Sequence, residues 1–129
     1  DKSIYWYNHV WACNFVRLWL EEWLQREGYE YELVTERQLR YETKNQLSYY
    51  PDMVLKYADA FVTINVELTD KGAKRYEDLE RVYRIGEYTG HWYFVPEKLE
   101  NKLKRQLGDE YVIRTLESRQ LNDGTKHMG

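Results

Sequence analysis

The residues of this chain best suited to chemistry lie in two short runs, Pro51-Asp52-Met53-Val54-Leu55 and Thr63-Ile64-Asn65-Val66-Glu67-Leu68-Thr69-Asp70-Lys71. On a strand, residues two apart share a face. Val62, Ile64, Val66 and Leu68 therefore point one way, into a core, and Phe61, Thr63, Asn65 and Glu67 point the other. With 53–57 as the partner strand, Asp52 stands beside Asn65 and Glu67. Three polar side chains then converge on the open side of a hairpin. Such a group suits Mg²⁺, which takes oxygen ligands, typically one or two protein carboxylates plus waters. Each residue also has a plainer reading. Asp52 after a proline is a common turn residue, and Glu67 on an exposed strand face is solvated surface, paired with Lys71 or Lys56 for little gain in stability.

Other reactive side chains read as structural. His9 opens a helix, where the helix dipole disfavours its protonation, and is expected to be a packing or capping residue. Cys13 falls on an apolar stripe, where cysteine behaves as a small hydrophobe; no catalytic role is assigned to it. His91 and His127 show no ligand spacing, and no glycine-rich phosphate loop occurs among the 7 glycines.

The elements that position these residues follow from hydrophobic spacing. Over His9–Arg26, Val10, Cys13, Val16, Leu20, Trp23 and Leu24 recur every three or four residues, with Phe15 and Trp19 widening the stripe. This spacing predicts an amphipathic helix capped by Asn8 and stopped by Gly28. Alternation over Tyr29–Val34 predicts a strand, and Thr35 with Gln38 a capping box on a short helical turn. Met53–Tyr57 and Phe61–Leu68, joined through Ala58-Asp59-Ala60, predict a hairpin. Thr69 or Asp70 is expected to cap a polar helix with Ala73, Tyr76, Leu79 and Tyr83 on one side. A strand at His91–Val95, a charged helix at Glu97–Leu107 with Leu99, Leu103 and Leu107 in register, and a strand at Tyr111–Leu116 complete the order. Strands alternating with helices at the end imply a mixed sheet with helices on its faces.

Composition bounds the function. The 129 residues suffice for one domain, expected over 1–117, followed by a polar tail over 118–129. Residues carrying 19 positive and 22 negative charges leave a net of −3, so any contact with phosphate must come from a local patch. A single cysteine excludes an internal disulfide framework and a thiolate-based zinc cluster. No apolar run approaches the roughly 20 residues that cross a bilayer, which makes a cytoplasmic address the expectation. Tyr, Trp and Phe together make up 16% of the chain, a large apolar resource for a small core.

Taken in order, several stretches resemble the nuclease-like domain of the replication-relaxation family, proteins of plasmids and other mobile elements within the PD-(D/E)XK superfamily. They are His9-Val10, Thr35-Glu36-Arg37-Gln38-Leu39-Arg40, Pro51-Asp52, Val66-Glu67-Leu68-Thr69 followed by Lys71, and Arg75-Tyr76-Glu77. The similarity spans about residues 9–116. It implies a restriction-endonuclease-like α/β fold with a mixed central sheet flanked by helices. It also implies an upstream winged-helix DNA-binding domain before Asp1, which reads as the start of a fragment. By the superfamily's pattern Asp52 is the first metal ligand, Asn65 occupies the acidic position and Glu67 the lysine position. A neutral amide thus replaces a charged ligand, and a carboxylate replaces the cation that positions the attacking water. The resemblance then implies either a degenerate site serving binding, or a rebuilt one with Asp52 and Glu67 holding Mg²⁺ or Mn²⁺ and Lys71 as a migrated cation.

Three functions remain open on the sequence. The first is an accessory domain that contacts DNA through Arg37, Arg40, Lys71, Lys74 and Arg75 without cutting, in plasmid replication or mobilisation, and needs no cofactor. The second is a Mg²⁺- or Mn²⁺-dependent DNA endonuclease using Asp52, Glu67 and Lys71. The third is a dimerisation or docking module that uses its aromatic surface, with Tyr5-Trp6-Tyr7 and Tyr49-Tyr50 as candidate contacts.

Overall fold

The structure, a computed structural model, describes residues 8–70, 72–107 and 112–116. Lys71, Tyr5–Tyr7, His127 and the expected tail lie outside the described residues, and Tyr83 lies outside the described side chains. In chain order the elements are α1 (His9–Arg26), β1 (Tyr31–Thr35), α2 (Glu36–Thr43), β2 (Met53–Tyr57), β3 (Ala60–Val66), α3 (Ala73–Ile85), β4 (Gly90–Val95), α4 (Glu97–Leu107) and β5 (Val112–Thr115). The strands form one sheet in the order β1-β2-β3-β4-β5. The β1–β2 and β2–β3 pairs are antiparallel, whereas β3–β4 and β4–β5 are parallel. This is the mixed α/β sheet flanked by helices that the alternation of elements implied.

The local chemistry explains the boundaries. Asn8 Oδ1 accepts from the backbone N–H groups of Val10 and Trp11, satisfying two of the donors a helix start leaves unpaired. Gly28, at φ 78°, supplies the left-handed residue that ends α1. Thr35 Oγ1 accepts from Gln38 N–H, and α2 then runs eight residues, longer than the single turn expected. The Thr69/Asp70 cap is not formed. Gly72 is the N-cap residue of α3 and supplies no side-chain cap, and Asp70 instead accepts from Gly72 N–H at 3.0 Å and pairs with Lys102.

Both faces of the sheet are covered. On one, α1 packs Ala12, Val16, Trp19, Leu20, Trp23 and Leu24 against Leu55, Val62, Ile64, Val66 and Phe94. The buried stripe is rotated from the expected one: Val10 is 66% exposed, and Ala12 takes its place in the core. On the other face, Tyr76 and Leu79 of α3 and Leu103 and Leu107 of α4 cover Tyr93 and Val95. Ala73, expected on the same side of α3, is exposed. The consequence for function is that β3, the middle strand, has no open side.

Candidate functional site

Asp52 precedes β2 by one residue. The register of the hairpin, Met53 opposite Ile64 and Val54 opposite Thr63, continues to set Asp52 opposite Asn65. Residues directly opposite in an antiparallel pair present their side chains to the same face. The loop before β2, the end of β3 and the start of α1 therefore meet at one point. Asp52, Asn65 and Glu67 line a single cleft of about 420 Å³, as do His9, Glu36, Tyr50 and Arg75.

The expectation of an open hairpin face at the edge of the sheet needs correction. The residues sit on the central strand beneath α3 and α4, with Asn65 3% and Glu67 7% exposed. Burial of polar groups is tolerable only where hydrogen bonds replace those lost to water. Asn65 Nδ2 donates to Thr63 Oγ1 at 2.9 Å and to the Trp92 carbonyl at 3.2 Å. Thr63 Oγ1 in turn lies 2.8 Å from His91 Nδ1. A polar column, His91–Thr63–Asn65, thus runs along β3 and β4 towards the cleft, and burial holds the His91 pKa below its usual value. Glu67 is not solvated surface; its backbone N–H donates to the Phe94 carbonyl at 3.1 Å, extending the β3–β4 ladder beyond Val66. Lys56, an expected partner of Glu67, lies instead over the Phe61 ring.

Asp52 is the junction of the site. Its Oδ2 accepts from Val66 N–H at 2.6 Å, its Oδ1 lies 3.1 Å from His9 Nε2, and its carbonyl accepts from Glu36 N–H. His9 Nε2 also lies 3.2 Å from the Val66 carbonyl. This overturns the expectation that the helix dipole keeps His9 neutral. The hydrogen bond to Asp52, then that to Cys13, raises its pKa from 6.5 to about 11. A full carboxylate charge in contact outweighs the half-charge of a helix end. Burial pushes the neighbouring Cys13 thiol upward, so it is no activated nucleophile.

The basic residues named from the sequence divide. Arg37, Arg40, Lys74 and Arg75 are all exposed. The Arg40 guanidinium stacks 4.3 Å over the Tyr50 ring and pairs with Glu36 at 3.0 Å; that of Arg75 lies 5.7 Å over the Tyr49 ring. The Tyr49-Tyr50 pair thereby draws two arginines, from α2 and α3, to one rim of the cleft. Tyr50 is fixed by its hydroxyl, which bonds Thr43 Oγ1 and accepts from Leu47 N–H at 3.2 Å. Sequence reasoning named His9 and Glu36 only within the resembling stretches and Tyr50 only as a candidate contact, and placed none of them in the site. A histidine next to an N-cap, an acid in a first helical turn and a tyrosine before a proline are all commonplace signals.

No protein-family model matches the chain, and no match was found among curated proteins or among solved structures.

Proposed function

We propose that this chain is a DNA-associated accessory domain of a mobile element, acting in plasmid replication or mobilisation in the cytoplasm, with a nuclease-like site that no longer cuts. The observation that carries the reading is how the cleft's polar atoms are engaged. Both carboxylate oxygens of Asp52 already face protein donors, Val66 N–H and His9 Nε2. The neutral Asn65 spends its amide on Thr63 and Trp92. Supporting the restriction-endonuclease-like part of the reading are the antiparallel β1-β2-β3 unit continued by parallel β4, and an aspartate at the start of β2 opposite a polar residue near the end of β3. Supporting DNA contact is the arginine rim, in which Arg40 and Arg75, with Arg37, Lys74 and Lys71 nearby in sequence, would meet phosphates. An upstream winged-helix domain would supply sequence selectivity.

Glu36, Asp52 and Glu67 lining one cleft favour a second reading, a Mg²⁺- or Mn²⁺-dependent endonuclease with Asp52 and Glu67 as ligands and Lys71 as the cation. Exposed Val10 and Leu18 on the outer side of α1 favour a third, association with a second copy, which sedimentation would register as a dimer. Supercoiled plasmid separates the first two readings. The accessory domain should retard it on a gel in EDTA and leave it supercoiled when Mg²⁺ or Mn²⁺ is added. Metal-dependent nicking that disappears in Asp52→Ala would overturn the proposal.

A further inference from the structure

We propose that His91 is a proton sensor for the cleft, acting through a one-way chain of hydrogen bonds that sets the orientation of the Asn65 amide. The proposal does not depend on the DNA reading; it needs only the cleft and the polar column that leads to it. The direction of the chain follows from which groups can donate. The Trp92 carbonyl can only accept, so the amide atom 3.2 Å from it is Nδ2, the donating end of Asn65. The same Nδ2 lies 2.9 Å from Thr63 Oγ1, which therefore accepts there. Thr63 is 0% exposed, so its own hydroxyl hydrogen cannot go to water. Among the described residues the other partner of that hydroxyl is His91 Nδ1 at 2.8 Å, and Nδ1 takes the hydrogen. An imidazole that accepts at Nδ1 is neutral and carries its hydrogen at Nε2.

Protonation of His91 reverses one link and unsettles the rest. Both ring nitrogens then carry hydrogen, so Nδ1 can only donate to Thr63 Oγ1. That oxygen can accept from His91 and Asn65 together, but its own hydrogen is then stranded in a site closed to water, which is costly. The partner able to take it is Asn65, by turning its amide over to present Oδ1 to Thr63. That rotation gives up the bond to the Trp92 carbonyl and exchanges donor for acceptor on a residue that lines the cleft. A proton gained at His91, on β4, thus changes the chemistry offered by Asn65, on β3, without direct contact between the two.

The surroundings of His91 hold the neutral form at ordinary pH. β3 contributes Thr63, and Tyr88, just before β4, sets its ring edge-on to the imidazole with centroids 6.0 Å apart. Burial pushes the Tyr88 hydroxyl pKa upward, so that group stays neutral. Glu80 of α3 supplies a negative charge that favours protonation, but burial outweighs it and the His91 pKa lies below 6.5. The unfolded chain therefore takes up this proton first. The column's contribution to stability is complete above about pH 6.5 and is lost as pH falls towards the folded pKa. His9, with its pKa raised to about 11, stays protonated throughout that range and does not blur the transition.

Nitrogen-15 NMR of the full chain tests the coupling, because it reads both the hydrogen on each ring nitrogen and the side-chain amide of Asn65. Near neutral pH, His91 should be in the Nε2–H form. On acidification the Asn65 side-chain signals should move with the same midpoint as His91. Thr63→Val keeps the shape and removes the hydroxyl. It should raise the His91 pKa, since the neutral ring loses its donor, and should leave the Asn65 signals indifferent to the His91 titration. Thr63→Ser should behave as the wild type. In Asn65→Asp the new carboxylate accepts the Thr63 hydroxyl hydrogen, and neutral His91 should change to the Nδ1–H form. An Nδ1–H imidazole in the wild type near neutral pH, or Asn65 signals that ignore the His91 midpoint, would overturn the proposal, as would an unchanged His91 pKa in Thr63→Val. Backbone spectra establish that each variant is folded, and the two wild-type measurements decide the matter without them.

Discussion

The two faces of β3 are equally hidden from water and chemically opposite. Val62, Ile64 and Val66 face α1 and are 3%, 0% and 2% exposed; Thr63, Asn65 and Glu67 face α3 and α4 and are 0%, 3% and 7% exposed. Apolar burial needs no partner and stabilises in proportion to area. Polar burial roughly breaks even when every hydrogen bond is made and costs when one is not. A fold seeking only stability would have made both faces alike. The α1 face holds the domain together, and the polar face directs two side chains, Asn65 and Glu67, into a cleft.

The largest break in this contrast is expected on the apolar side. Trp23 is 1% exposed and packs against Tyr57 and Trp92 with ring centroids 5.6 and 6.3 Å away. Trp23→Ala should cost about 3–5 kcal/mol in chemical denaturation; a loss below about 1 kcal/mol would mean that α1 is not the main support. On the polar side Asn65→Asp removes two donated hydrogen bonds and turns a carboxylate oxygen towards the Trp92 carbonyl. The expected loss is about 1–3 kcal/mol, with partial recovery on adding Mn²⁺ as the cleft gains a ligand. Unchanged stability would show that the column does not need the amide.

A smaller effect sharpens the comparison at the mouth of the cleft. Among the described residues, Asp52 and Cys13 are the titratable groups that raise the His9 pKa, and its folded pKa lies above its unfolded one. The ion pair therefore contributes fully below about pH 6.5, and its contribution fades as pH rises towards about 11. Half exposure limits that contribution to about 1 kcal/mol or less. In EDTA, His9→Gln should be less stable than the wild type at pH 6 and indistinguishable from it near pH 11. A difference that does not change with pH would assign His9 a packing role alone.

Much of this architecture was legible from spacing. The bounds of α1 and α4, the hairpin and the capping role of Thr35 follow from periodicity and caps, which are local. The burial of Asn65 and Glu67 was not legible. Alternation of apolar and polar residues normally marks a half-exposed strand, and only the helices that cross over β3 and β4 reveal that the polar side is also covered. Nor was His9 legible as Asp52's partner, because the two are brought together by where α1 begins relative to β2. Asp70 shows the same limit: a good capping residue by type, it serves the turn before α3 and a lysine on α4.

The smallest expected effect on stability belongs to the arginine rim, and it carries the most direct test of function. Arg40→Ala and Arg75→Ala should each change folding stability by no more than about 0.5 kcal/mol. The deciding measurement is the affinity for labelled duplex DNA in EDTA as salt is raised. A linear fall of log affinity with log salt is expected, with a slope of about −4 if four or five phosphates are neutralised, and with each substitution lowering its magnitude by about 1. Binding that is absent, indifferent to salt, or unchanged in both variants would contradict a phosphate-contacting role for the cleft's rim.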